Sequence, residues 1–398
     1  MNLRHLKRWY YAITASNTVA SAYYLNYLFF FLHDRFGFGN RGNLLVAALH
    51  GATYIVAAWL GGRFAERRGY LTSLAAGFAG LAVCTLVGFF LDSAAGQVLI
   101  LVPYTVVLLF TWPALEALVI QHESPARVPH MVGLYNLTWS LSVAVAYFTG
   151  GRLYDALGRG AIFLVPAVIF SLQFGVAMWL RRRAAMVAIP RAITAEIHLP
   201  ELGAAAAGVS PQAFLRLAWI ANPFAYMAMY TVLAVMPDLA RRLGLSPTRV
   251  GLFCSVWFFS RVVAFGGLWA WTGWHYRFRW MVLAFITIIG SFASILLAPS
   301  LTVMVLAQVF FGLSAGLIYY SSLFYAMDVG DAKGEHGGLH EAAIGIGICA
   351  GPAIGALSLQ LWPSAPRANA FAVSGLLVGG LATLLITWYQ ARRGHPKT

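Results

Sequence analysis

Apolar residues dominate this chain in runs of about 20, the length that carries an α-helix across a bilayer at about 1.5 Å per residue. Twelve such runs follow one another, near residues 9–32, 42–62, 71–91, 98–121, 131–151, 160–181, 214–236, 250–270, 279–298, 302–327, 338–361 and 369–390. They are apolar on all sides rather than along one stripe, which predicts helices surrounded by lipid or by other helices. The alternation in segments of about ten residues that marks a membrane β-barrel is missing. The expected fold class is therefore an all-α membrane protein with twelve transmembrane helices. Short polar turns join most runs. The exception, Arg181 to Gln212, opens on three arginines and contains Pro190, Pro200 and Pro211. It predicts an N-terminal six-helix half (1–183), a linker (184–212) and a C-terminal six-helix half (213–398).

Composition and charge sharpen this picture. Hydrophobic residues make up 60% of the 398 and charged residues only 10%, where a soluble domain carries about 25% charged. The net charge of +14 sits at the ends of the apolar runs, so it sets topology and does not call for a nucleic-acid partner. With the N-terminus in the cytoplasm, the segments on that side hold more than twice as many Lys and Arg residues as those on the other. The positive-inside rule then places both termini and the linker in the cytoplasm. The basic segment Met1–Arg8 leads into a run too long for a signal peptide, so it is expected to begin an uncleaved first span. Cys84, Cys254 and Cys349 lie scattered inside apolar runs, with neither metal-ligand nor disulfide spacing.

One charged knot interrupts the pattern. Gly61–Tyr70 carries Arg63, Glu66, Arg67 and Arg68 between two spans. It cannot lie in lipid, so a tight turn is expected there, on the cytoplasmic side. The surrounding order recurs later in the chain. Phe31–Tyr70 runs from an apolar end through a loop with Gly37 and Arg41 to a helix and Gly61-Gly62; Met236–Tyr276 repeats it with Gly244, Arg249 and Gly266-Gly267. The offset is about 205 residues, half the chain, and such internal repeats mark secondary transporters.

With its twelve spans, repeat and charged loop, the chain resembles the major facilitator superfamily over nearly its whole length. The family's loop between helices 2 and 3 reads Gly-x-Leu-Ala-Asp-Arg-x-Gly-Arg-Arg. Here Gly62, Ala65, Arg67 and Gly69 match, Glu66 replaces the aspartate, Phe64 replaces the leucine, and the last arginines are absent. The resemblance implies a gating loop built on Gly62, Glu66, Arg67 and Gly69, with a degenerate second copy at Gly267–Gly273. A second family signature, Gly-x-x-x-Gly-Pro-x-x-Gly-Gly, belongs to helix 5 of family antiporters. Helix 5 here keeps only Gly150-Gly151, and the fuller version lies in helix 11 as Gly347, Gly351, Pro352 and Gly355. There it reads as close helix packing or as a coupling element.

Polar groups at membrane depth are costly and mark function. Arg261 lies about 16 Å into helix 8, near the midplane. It reads as a hook for a carboxylate or phosphate, or as an interhelical ion pair or carbonyl cap. Glu341 and His340 open helix 11, and Glu116 lies near the cytoplasmic end of helix 4; they are candidate proton carriers. Glu116 reads equally as the partner of the loop arginines, and Glu341 as a cap or pair nearby. His50, at the centre of helix 2 with Tyr54 one turn on, is a further titratable candidate beside a plain packing role. The resemblance implies a cavity lined mainly by helices 1, 4, 7 and 10, with helices 5, 8 and 11 contributing. Polar and aromatic stripes on these helices nominate Asn17 and Tyr24, Trp112, Asn136 and Trp139, Asn222, Tyr226 and Tyr230, and Tyr320 and Tyr325 as substrate contacts.

No catalytic triad, zinc spacing or phosphate loop occurs, so no cofactor, metal or enzymatic reaction is expected. The expected function is secondary active transport of a small organic molecule, anionic by virtue of Arg261, through a monomer in the plasma (inner) membrane. Protons are the expected driving ion, the lipid bilayer is the surrounding partner, and the pattern leans toward export. An uncoupled facilitator, a transporter-like receptor or scaffold, and a membrane acyltransferase using His340 and Glu341 are the alternatives.

Overall fold

The computed structural model of the chain describes residues 3–124, 127–184, 209–329 and 334–393. Most of the predicted linker lies outside them. Fourteen helices are formed by the described residues: α1 (Leu3–Phe36), α2 (Asn40–Arg68), α3 (Tyr70–Phe90), α4 (Ala94–Leu108), α5 (Trp112–Ile120), α6 (Val128–Leu157), α7 (Arg159–Ala184), α8 (Pro211–Arg242), α9 (Pro247–Cys254), α10 (Val256–Ala270), α11 (Phe278–Leu296), α12 (Leu301–Asp328), α13 (Gly334–Leu361) and α14 (Ala368–Arg393). Two pairs, α4–α5 and α9–α10, each make one interrupted span.

Eleven of the resulting spans are long and apolar enough to cross a membrane. The twelfth, α1, has 34 residues, or about 51 Å. Its hydropathy is diluted because its buried residues include Thr14, Asn17, Thr18, Ser21 and Asn26. A helix this polar is stable in the membrane only when those groups face other helices.

The helices differ from the sequence reading in two ways. First, the charged knot is not a ten-residue turn: α2 continues to Arg68, and the chain reverses at Gly69 alone, whose φ of 87° suits glycine. The helix's own hydrogen bonds satisfy its backbone outside lipid as well as inside, so nothing forces it to end at the bilayer surface. Second, the predicted span 98–121 is broken after Leu108. Pro113 has no N–H to donate back, and the freed groups find other partners. The Phe110 carbonyl accepts from Ser73 Oγ at 2.7 Å, and Thr111 Oγ1 donates to Leu108 O at 2.7 Å. The break re-aims the helix carrying Trp112 and Glu116.

The helices before and after the linker meet along two seams, α2 against α13 and α6 against α9 and α10. Both seams depend on glycine. A Cβ on Gly51 would lie 2.2 Å from the Cys349 nitrogen, and one on Gly151 would lie 2.0 Å from the Pro247 carbonyl oxygen. On its other side α13 presses Gly347 and Gly351 against the α8 backbone at Pro223 and Met227, while Gly355 meets Leu44 of α2 more loosely. Pro352 lies within α13. At the end of the bundle opposite the termini, two polar staples join helices before the linker to helices after it, α2 to α8 and α6 to the start of α9. Asn40 Nδ2 donates to Asp238 Oδ2 at 3.1 Å, and Thr248 donates both its N–H and its hydroxyl to Asp155. At the termini end, the Lys7 ammonium donates to the carbonyls of Leu118, Val119 and Gln121 at 3.0, 2.6 and 2.5 Å. It caps the C-terminus of α5, where carbonyls lack helical partners and a positive charge is favoured.

Two alanine substitutions in α2 are expected to act with opposite signs. Gly51→Ala forces the α2–α13 seam apart and lowers stability by about 1–3 kcal/mol. Gly62→Ala, with no atom within 4 Å of the new methyl, is neutral or stabilises by up to about 1 kcal/mol through helix propensity. Thermal unfolding of the two variants in one detergent checks both signs.

Candidate functional site

A cavity of about 170 Å³ lies between the two groups of helices. Its walls come from α1, α2, α4, α5, α6, α8, α10, α12 and α13. Span 2 therefore joins the spans that the family resemblance implied.

Arg261 dominates one wall. It is only 5% exposed. Its guanidinium lies over the rings of Trp139, Trp257 and Phe258 at 4.8, 5.3 and 5.6 Å, and Nη1 is 3.5 Å from Met229 Sδ. Nε has no hydrogen-bond partner, and no carboxylate pairs with the side chain among the described residues. Cation–π contacts contribute about 2 kcal/mol or more when desolvated, less than the several kcal/mol that burying a charge costs. The ion-pair alternative for Arg261 is not what the structure holds.

Two carboxyl groups face the same cavity. The Tyr54 hydroxyl of α2 donates to Glu341 Oε2 of α13, a bond that crosses the seam. Glu116, on α5, is partly open to the cavity and has no hydrogen bond or ion pair among the described residues. It does not reach the loop arginines, since α5 points it inward. The carboxylate paired at the termini end is Glu123, which lies 3.8 Å from Lys7 and 3.5 Å from Arg127. Glu116 and Glu341 interact electrostatically with each other, whereas Tyr226 senses Arg261 as well as both carboxyls. Tyr226 lines the same cavity, with its ring 6.4 Å from that of Tyr230 and 6.3 Å from that of Tyr319.

His50 also lines the cavity. Its Nδ1 is 2.8 Å from Thr105 Oγ1, whose hydrogen is spent on the Leu101 carbonyl at 2.7 Å. Nδ1 therefore donates, and Nε2 is left as an acceptor with no partner among the described residues. Tyr230 stacks against the ring at 5.9 Å.

Of the residues nominated from sequence, Arg261, Trp112, Trp139, Tyr226, Tyr230, Glu116, Glu341 and His50 line the cavity. The others stand behind it. Asn17 Nδ2 donates to Thr111 Oγ1 at 3.2 Å, beside the break in span 4. Tyr24 packs on Tyr104 with centroids 4.1 Å apart. Asn136 Oδ1 accepts from Trp139 Nε1 at 3.0 Å and so orients a wall residue. Asn222 is buried with both amide atoms unpartnered among the described residues. Tyr320 packs against Phe265, and the Tyr325 hydroxyl accepts from the Tyr276 N–H at 3.1 Å. His340 is buried, with its ring 5.9 Å from Tyr319. The wall also includes Asn26 and Tyr135, which sequence reasoning did not nominate as site residues, and Tyr319, which adjoins Tyr320 on the helix 10 stripe. Tyr54 carried one signal, its position one helical turn from His50; Asn26 and Tyr135 carried none beyond being polar residues in apolar runs.

The gating-loop residues lie elsewhere. Glu66 and Gly69 border a second cavity of about 590 Å³ at the termini end, with Lys7 and Arg181. Gly62 has no close neighbour around its α-carbon, and Arg67 is exposed without an ion pair among the described residues.

No protein-family model matches the chain, and no curated protein matches it. Solved structures do match. A bacterial homolog of the human lysosomal transporter Spinster, in an inward-facing and unoccupied conformation, superposes with a TM-score of 0.68 at 13% identity, covering 99% of this chain and 97% of that one. The nucleoside transporter NupG superposes with a TM-score of 0.70 at 11% identity, covering 96% and 99%. The Spinster homolog in its occupied form gives 0.65 at 14% identity. At these identities the likeness is one of fold, over essentially the full length of each protein: the chain is an integral membrane protein that shares its fold with these solved transporters.

Proposed function

We propose that this protein is a secondary active transporter that moves a small organic molecule with an anionic group across the membrane. Two six-helix halves, residues 1–183 and 213–398, rock about the central cavity in alternating access, joined by the 184–212 linker. The carrying observation is Arg261. A buried guanidinium without a counter-ion is an incomplete arrangement, and a cargo carboxylate or phosphate completes it with charge-assisted, bidentate hydrogen bonds. The aromatic walls supply contact area for an apolar body.

Protons drive the cycle in this reading, and Glu341 is their foremost carrier. Its bond to Tyr54 crosses the α2–α13 seam, so a change in its protonation acts directly on the contact between the halves. Glu116, His340 and His50 are the other titratable groups within reach of the same region. The protein works as a monomer in the plasma (inner) membrane with both termini cytoplasmic, as the distribution of Lys and Arg supports. Its likeness in fold to the Spinster homolog and NupG supports transport over an acyltransferase or receptor role.

In proteoliposomes, a pH gradient is expected to drive accumulation of a bound substrate, and Glu341→Gln to reduce that accumulation about tenfold or more. Full gradient-driven flux in both Glu341→Gln and Glu116→Gln removes the proton-carrier role. Flux indifferent to the gradient in the unmodified protein identifies an uncoupled facilitator.

Arg261→Met is expected to stabilise the ligand-free protein by about 1–4 kcal/mol, because an apolar chain of similar length replaces an unpaired buried charge. The same variant loses binding of anionic ligands. A thermal-shift measurement with and without ligand tests both, and unchanged binding of every anionic ligand rules out the hook.

A further inference from the structure

The two carboxyl groups of the cavity are not equivalent. Glu341 is hydrogen-bonded to Tyr54, whereas Glu116 faces the same space with no partner among the described residues. Arg261 has no anionic partner on its own wall, and it makes no ion pair with either carboxyl. The cavity therefore offers one unmet positive charge and one unmet carboxyl group within an aromatic lining.

An anionic cargo satisfies only half of this. It neutralises Arg261 and leaves Glu116 desolvated beside a second carboxyl of like charge. A cationic cargo leaves Arg261 unpaired. A neutral hydrogen-bond donor at Glu116 would satisfy its oxygens but not relieve its repulsion with Glu341. A molecule with an anionic group at one end and an ammonium at the other meets both sites and brings no net charge into the low-dielectric interior.

We infer that Glu116 is the binding site for a cationic group of the cargo, and that the cargo is a zwitterion whose opposite charges lie at its two ends. This rests on the reading of the cavity as the transport site with Arg261 as its anion hook. Glu341, tied across the seam, remains the proton carrier.

The probes are straight-chain ω-amino carboxylates, from glycine to the eight-carbon member, together with 4-(aminomethyl)phenylacetate. Each is compared with the matched carboxylate and the matched amine. Binding to the full-length protein in lipid nanodiscs is followed by quenching of tryptophan fluorescence, since Trp112, Trp139 and Trp257 line the cavity, and by calorimetry. At least one zwitterion of the set is expected to bind about tenfold or more tightly than both of its matched single-charge analogues. Glu116→Gln is expected to abolish that advantage, so that the zwitterion and its matched carboxylate bind alike. Glu116→Asp, which keeps the charge, restores part of it.

The inference is overturned if no zwitterion in the set binds more tightly than its matched carboxylate. It is equally overturned if the advantage survives Glu116→Gln. Failure of the underlying reading looks different. If zwitterions bind with the expected dependence on Glu116 but none crosses the membrane of proteoliposomes, the site stands and transport does not. If matched carboxylates bind and are carried while zwitterions are not, transport stands and the site assignment falls.

Discussion

Lipid offers no hydrogen bonds, and the architecture follows from that constraint. Backbone groups must be satisfied within each span, so the described chain is helical. Polar side chains must turn away from lipid, so α1 buries Thr14, Asn17, Thr18, Ser21 and Asn26 against its neighbours. The same pressure draws Arg261, Glu116, Glu341 and His50 toward one central space. Between helices that have little hydrophobic reason to associate in a bilayer, attraction comes from close packing. The seams accordingly run through Gly51 and Gly151, where backbone meets backbone.

Close packing and polar gathering pull against one another at the cavity. A seam of glycine contacts gains by excluding space, while a charged group gains by keeping access to a partner. The structure resolves this by position. The tightest approaches and the Asn40–Asp238 and Thr248–Asp155 staples lie toward the end opposite the termini or flank the cavity. The ionisable groups occupy the gap the helices leave. The Tyr54–Glu341 bond is where the two meet, a polar contact made on the seam itself.

The helices were legible in the sequence because hydropathy is a property of each span alone. All twelve predicted runs correspond to helical spans, and the charged knot after the second marked a reversal of the chain. Its extent was misjudged because a helix leaving the bilayer keeps its own hydrogen bonds, so charge does not signal its end. The break at Leu109–Thr111 had a sequence cause in Pro113, but Pro103 and Pro166 sit inside unbroken helices, so proline alone does not locate a break. The site was legible only in part. Helical spacing rightly put Tyr226 beside Tyr230 on one inward stripe, and placed Asn17 and Tyr24 on another. It cannot tell a face turned to a cavity from one turned to a neighbouring helix. Asn17 and Tyr24 meet Thr111 and Tyr104 instead. Tyr54 gains its role only through Glu341, 287 residues away.

The fixed positive charge of Arg261 has an electrical side. On the proposed reading the residue moves relative to the membrane field as access alternates, and each elementary charge carried across 100 mV is worth about 2.3 kcal/mol. A carrier holding an anion differs from an empty one in how much charge travels with the cavity, whereas a zwitterion leaves that net charge unchanged. Over a full cycle the membrane potential therefore does net work only on a cargo with net charge, and a zwitterion crosses with neither electrical gain nor electrical cost.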